Sequence, residues 1–151
     1  MIYSRSAEYA VRAFVYLAGL DPGEYAMAKN IAAESGIPSP FLSKLLQDLV
    51  RDGFLRSSKG PRGGFRLNQA AEDISMLQVV EAVDGKGRYD RCLGGGPECN
   101  DRVICGMHDA WQELRSRIIG YLGQTSVADL AVSQAEKRRL LARPGRRVPK
   151  K

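Results

Sequence analysis

The sequence predicts a mostly α-helical chain with a small β-hairpin wing and a long helix after it. Three features carry this. Apolar residues recur at helical spacing up to residue 53. The period then changes: FLRSSKGPRGGFRL (54–67) sets two short β-prone runs around a bend rich in glycine and proline. Helical spacing returns in MHDAWQELRSRIIGYLG (107–123).

Residues 6–20, SAEYAVRAFVYLAGL, form a largely buried first helix, with Ala10, Phe14 and Leu17 on one face. Asp21-Pro22-Gly23 stops it. A short helix over about 26–35 ends at Gly36, where a left-handed cap is expected. In the third helix Ser39 is placed as N-cap and Pro40 as first helical residue, where its missing N–H costs nothing. Leu42, Leu45, Leu46 and Leu49 make its apolar stripe, and Gly53 ends it. The hairpin follows. Residues 74–83 give a short helix with Ile74, Leu77 and Val80 inward. Met107, Trp111, Leu114, Ile118 and Tyr121 then repeat at a 4-3-4-3 spacing, the seam of a helix that packs along another helix.

The order of helix, short helix, turn, third helix and basic hairpin is that of a winged helix-turn-helix. Residues 1–84 are assigned to this DNA-binding domain, 85–106 to a cysteine-rich loop, 107–136 to a dimerisation helix region, and 137–151 to a basic tail expected to be disordered.

The chain has 151 residues, 44% hydrophobic and 26% charged, enough for one ordinary domain with an extension. No apolar run is long enough for a membrane span, and the N-terminus lacks the pattern of a secretory leader. A cytoplasmic protein without membrane contact is expected. Its net charge of +6 favours an anionic partner. No acid–base or cofactor motif of an enzyme is found, which argues against an enzyme or small redox carrier.

A helix-turn-helix enters the major groove of DNA by the N-terminal end of its second helix. That end holds Ser39, Pro40, Phe41, Ser43 and Lys44, with the leucine stripe facing inward. Serine and lysine can hydrogen-bond base edges, and phenylalanine can contact a thymine methyl. Lys59 and Arg62 at the hairpin tip suit phosphate or a narrow minor groove. These residues are the expected contacts to a double-stranded operator.

All three cysteines and the one histidine fall in CLGGGPECNDRVICGMH (92–108), spaced C-x6-C-x5-C-x2-H. Three cysteines cannot all pair within one chain, so metal or thiol chemistry is the better reading. Cys92, Cys99, Cys105 and His108 are the candidate ligands. Structural zinc prefers tighter cysteine spacing. A plain ferredoxin needs four cysteines. An iron–sulfur cluster with three cysteines and one foreign ligand fits the looser spacing; unligated, redox-sensitive thiols remain the alternative.

Together these segments resemble the Rrf-type bacterial regulators, the family with IscR-like, NsrR-like and CymR-like members. The resemblance rests on SAEYAVRAFVYLA, IPSPFLSKLLQDLVRDGFL, KGPRGGFRL, ISMLQVVEAVDG, the three-cysteine block and the helix of Trp111, and spans nearly the whole chain. It implies a homodimeric winged-helix transcription regulator, a repressor or activator, whose C-terminal helices cross in the dimer. In cluster-binding members the loop cysteines hold an iron–sulfur cluster, which carries over to Cys92, Cys99 and Cys105. The first spacing departs by one residue from the usual x5-x5 pattern. IscR-like members add the histidine that His108 matches, with [2Fe-2S]. NsrR-like members take an acid from the partner's first helix, where Glu8 stands here, with [4Fe-4S]. His108 with [2Fe-2S] is favoured, because a ligand near Cys105 in sequence closes a shorter loop. The expected signal is nitric oxide, redox state or iron–sulfur status. The alternative, as in CymR-like members, is a cluster-free repressor answering to thiol oxidation or a small metabolite.

Overall fold

In a computed structural model of the chain, residues 2–94, 99, 102 and 105–142 are described. Among the described residues, six helices and one hairpin follow in order: α1 (Arg5–Ala18), α2 (Ala28–Ser35), α3 (Ser39–Arg51), β1 (Leu55–Ser58), β2 (Gly64–Leu67), α4 (Met76–Asp84), α5 (His108–Gln124) and α6 (Val127–Ala142). Short 3-10 turns at Ala71–Asp73 and Arg88–Asp90 flank α4.

Several boundaries have a local cause. The Ser4 hydroxyl accepts from the Ala7 N–H and caps α1. Gly36 ends α2 with φ of 65°, the left-handed cap expected of it. The third helix begins one residue earlier than its sequence suggests. Pro38 is the flanking residue, Ser39 is already helical, and no side chain caps the end. The Ser43 hydroxyl instead donates to the Ser39 carbonyl, 3.1 Å away. Ser75 and Gln78 form a reciprocal capping box on α4.

The main core lies where α1 crosses the helix-turn-helix. Phe14, Ile31, Leu42, Leu46, Leu49 and Leu55 are essentially without exposed surface. Phe14 also meets Phe54 edge-on, with ring centroids 6.1 Å apart. The expected leucine stripe of α3 is buried in full. In α4, however, Val79 is buried beside Val80 and Leu77 is only half-buried. Leu77 lies instead against a second cluster of Ala7, Met76, Val80, Tyr89 and Leu122, which joins α4 to α5.

The hairpin is antiparallel, with Leu55 opposite Leu67 and Ser58 opposite Gly64. It is not an isolated flap. Ala26, expected to open α2, is extended and exchanges backbone hydrogen bonds of 3.0 and 2.8 Å with Phe65. A second isolated bridge joins Ser75 to Ser126, through Met76 N–H to Thr125 O and Val127 N–H to Ile74 O. It fastens the α5–α6 connection to the start of α4.

The C-terminal region differs from its expectation. Residues 107–136 hold two helices broken at Thr125–Ser126, and α6 continues to Ala142, so residues 137–142 are helical. Lysine, arginine, leucine and alanine are good helix formers, and they outweigh the proline and glycine that follow. The rest of the expected tail, 143–151, lies outside the described residues, as does Gly95-Gly96-Pro97 in the loop.

Candidate nucleic-acid interface and thiol site

The first turn of α3 presents Ser39, Pro40, Phe41 and Lys44 as exposed residues, with Ser43 half-buried. Burial of the leucine stripe fixes this orientation, because positions 40, 43 and 44 lie away from it. Phe41 is 42% exposed and touches Tyr9 of α1 edge-on, with centroids 5.6 Å apart. Lys59 and Arg62 are exposed at the wing tip. Further along α3, Arg51 is paired with Asp48.

The sequence reading missed what seats the wing. Gly64 adopts φ of 141°, and a Cβ there would stand 2.2 Å from the Ala26 carbonyl oxygen. Arg66 lies over the Tyr25 ring, 5.0 Å from its centroid. The only signal for this in the sequence is the paired glycine of GPRGGF, which marks close backbone approach but not the partner.

The thiol site is built where α4 ends. Asp84, with 4% of its side chain exposed, accepts from the Ser4 N–H at 2.9 Å and from the Ser4 hydroxyl, and pairs with Arg88 at 3.1 Å. The 3-10 turn at Arg88–Asp90 then leads into Cys92. Cys92, Cys99 and Cys105 are all half-buried thiols.

The cysteines and His108 come together in pairs. The Cys99 Sγ lies 3.3 Å from His108 Nδ1. Cys92 is close enough to Cys99 to influence its thiol. A Cβ at Gly94 would be 3.6 Å from the Cys92 Sγ and 3.7 Å from the Cys105 Sγ, so this residue sits between both sulfurs. The backbone N–H of His108 donates to the Cys105 carbonyl at 3.1 Å. Partial burial, then the neighbouring sulfurs of Cys92 and Cys105, push the Cys99 thiol up, with Arg115 opposing.

Among the described residues, no three histidine, cysteine or acidic side chains close to the geometry of a finished metal site. The donor set nevertheless fits a soft metal centre. It offers three thiols and an imidazole, and crowding of sulfurs disfavours thiolates in a way that a cation would relieve. Glu8 is engaged elsewhere in this chain: it pairs with Arg12, whose guanidinium also donates to the Ser35 carbonyl at 3.4 Å.

Of the expected helix seam on α5, Met107, Leu114 and Tyr121 are 50%, 51% and 62% exposed, while Trp111 and Ile118 are half-buried. The chain's own core therefore leaves much of this face uncovered. No helix among the described residues is long and apolar enough to cross a membrane.

Known proteins are similar to this chain. The Rrf2 family model, described as iron-dependent transcriptional regulator, matches residues 3–133. The IscR transcriptional regulator of Photobacterium profundum is 32% identical over 130 residues, covering 86% of this chain and 75% of that one. A regulator of the HTH type from Aquifex aeolicus is similar at 34% identity, covering 86% and 91%. The solved structure of CymR, the global cysteine regulator of B. subtilis, superposes with a TM-score of 0.74 at 20% identity, covering 86% of this chain and 95% of that one. The IscR of T. potens does so at 0.69 and 23%, covering 90% and 89%. With the match spanning the helix-turn-helix, the wing and the cysteine block, the chain belongs to the Rrf2 family of transcription regulators.

Proposed function

We propose that this regulator carries an iron–sulfur cluster held by Cys92, Cys99, Cys105 and His108, and that it binds its operator as a homodimer. The observation that carries the reading is the 3.3 Å approach of the Cys99 Sγ to His108 Nδ1, beside two further sulfurs around Gly94. [2Fe-2S] is favoured over [4Fe-4S], because an imidazole is the ligand at hand and Glu8 is already tied to Arg12. A bound cluster supplies a centre that nitric oxide, oxidants or iron shortage can alter or remove.

On the DNA side, Ser39, Pro40, Phe41, Ser43 and Lys44 meet base edges and backbone in the major groove, and Lys59 and Arg62 contact phosphate or the minor groove. Coupling between the two sites runs through the dimer. Half-sites lie about one helical turn apart, so a small change in the angle between subunits alters how both recognition helices fit. The exposed apolar face of α5 supports pairing with a second copy.

The test is purification without oxygen, with absorption spectrum, iron and sulfide measured for wild type, His108→Ala and Glu8→Ala. Colour that depends on His108 is expected. Dependence on Glu8 instead moves the fourth ligand to α1. A colourless wild type that cannot be reconstituted removes the cluster and leaves a regulator answering to thiol oxidation or a small metabolite. The sensing role fails if the chain with Cys92, Cys99 and Cys105 all replaced by alanine keeps unchanged operator affinity under both conditions.

A further inference from the structure

His108, Trp111 and Arg115 lie three and four residues apart on α5, and so share one face of the helix. His108 meets the Cys99 thiol and, through its backbone N–H, the Cys105 carbonyl. The other two residues act on the opposite end of the cysteine loop. The Trp111 indole N–H donates to the Arg91 carbonyl at 3.1 Å. Arg115 pairs with Asp90, its side chain 22% exposed. Asp90 and Arg91 are the two residues directly before Cys92. Both ends of the loop are thus fastened to two turns of a single helix.

We propose that Trp111 and Arg115 are positioning residues that clamp the chain before Cys92 and so hold its sulfur facing Cys99 and His108. The inference rests on the cluster reading for its purpose, but the clamp is a property of the chain itself. The loop needs it. Gly94 follows Cys92 by two residues, and glycine loses more conformational freedom on ordering than any other residue. The chain before Cys92 is already held by buried Tyr89 and the Asp84–Arg88 pair, and the two contacts carry that hold to the residues next to the cysteine. The two contacts are also complementary. The indole fixes a backbone carbonyl, while the guanidinium fixes a side chain one residue earlier. Groups that orient ligands without touching the metal commonly change metal affinity by about 10–100-fold when removed.

The test uses full-length protein without metal, under anaerobic conditions, with iodoacetamide as probe and peptide mass spectrometry to follow each cysteine separately. Asp90→Asn breaks the pair while keeping the Arg115 charge, and Trp111→Phe removes only the indole donor. Each is expected to speed alkylation of Cys92 by roughly 5-fold or more, because an unclamped segment samples open states more often. Asp90→Glu, which keeps a carboxylate for Arg115, is expected to return the rate to near that of wild type. Circular dichroism and Tm of the variants should stay close to wild type, as the contacts lie outside the main core. Equal Cys92 rates in wild type, Asp90→Asn and Trp111→Phe would overturn the clamp, as would an Asp90→Glu variant no slower than Asp90→Asn. Iron and sulfide uptake by wild type is measured in parallel. A chain that takes up neither loses the cluster reading, while the alkylation rates still decide the clamp.

Discussion

Ala26 and Phe65 exchange both of their backbone hydrogen bonds across 39 positions of sequence, and Gly64 leaves the room for them to do so. The wing is therefore an extension of the loop between α1 and α2. Replacing Gly64 by alanine combines an unfavourable positive φ with a Cβ placed 2.2 Å from the Ala26 oxygen. The backbone term alone costs about 1–3 kcal/mol. The expected outcome is a lower Tm and operator affinity reduced about tenfold or more, the loss of some 1.4 kcal/mol of wing contact. Calorimetry and fluorescence anisotropy with operator DNA check it.

Lys59 and Arg62 stand exposed at the wing tip. If each neutralises one phosphate, replacing both by alanine lowers the slope of log affinity against log salt by about 2. Titrations at several salt concentrations measure this directly. An unchanged slope would remove both from the interface.

Asp84 joins the N-terminal segment to the entry of the cysteine loop through Ser4 and Arg88. Asp84→Ala strands the Ser4 N–H at a largely buried position and leaves the Arg88 guanidinium only the Ile2 carbonyl. A loss near 2 kcal/mol is expected, below that of a fully buried pair because Arg88 remains one-third exposed. Urea unfolding reads it.

Asp129 lies in the first turn of α6, accepting from the hydroxyl and the N–H of Ser126, and the hydroxyl contact is the larger cause holding its carboxyl below the usual range. A carboxyl lowered in the folded state stabilises above its unfolded pKa, and that contribution disappears as pH falls through the folded value. Helical signal should therefore weaken on acidification below about pH 4. In Asp129→Asn that part of the pH dependence should be missing, which circular dichroism against pH would show.

Leu114 and Tyr121 are more than half exposed on α5. Leu114→Glu with Tyr121→Glu leaves the chain's own core untouched but places two charges in the proposed subunit contact. Sedimentation should then find a folded monomer where wild type is a dimer. A wild type that sediments as a monomer would refute the pairing of this face.

Much of the fold is legible in the sequence because it is set locally. The Leu42–Leu49 stripe is buried as its period requires, Gly36 takes the left-handed cap, and the wing pairs in the register its turn dictates. What escapes is long-range. Nothing near Ser4 announces a partner 80 residues away at Asp84, and Ala26 has ordinary helix-forming character until Phe65 claims its backbone. The end of α6 escapes for another reason: one compositional judgement over 137–151 averages good helix formers with the prolines and glycine beyond them. At the thiol site, residue type and clustering name the candidate donors. Which atoms approach each other depends on how the loop folds back on α5, and no spacing rule encodes that.

The bridge between Ser75 and Ser126 gives α5 a mechanical character that its sequence does not suggest. One end of this 17-residue helix is fastened to the cysteine loop, and the other is stitched to the start of α4. A rod of about 25 Å held at both tips cannot take up strain by fraying. Movement of its first turn therefore has a direct mechanical path to the start of α4.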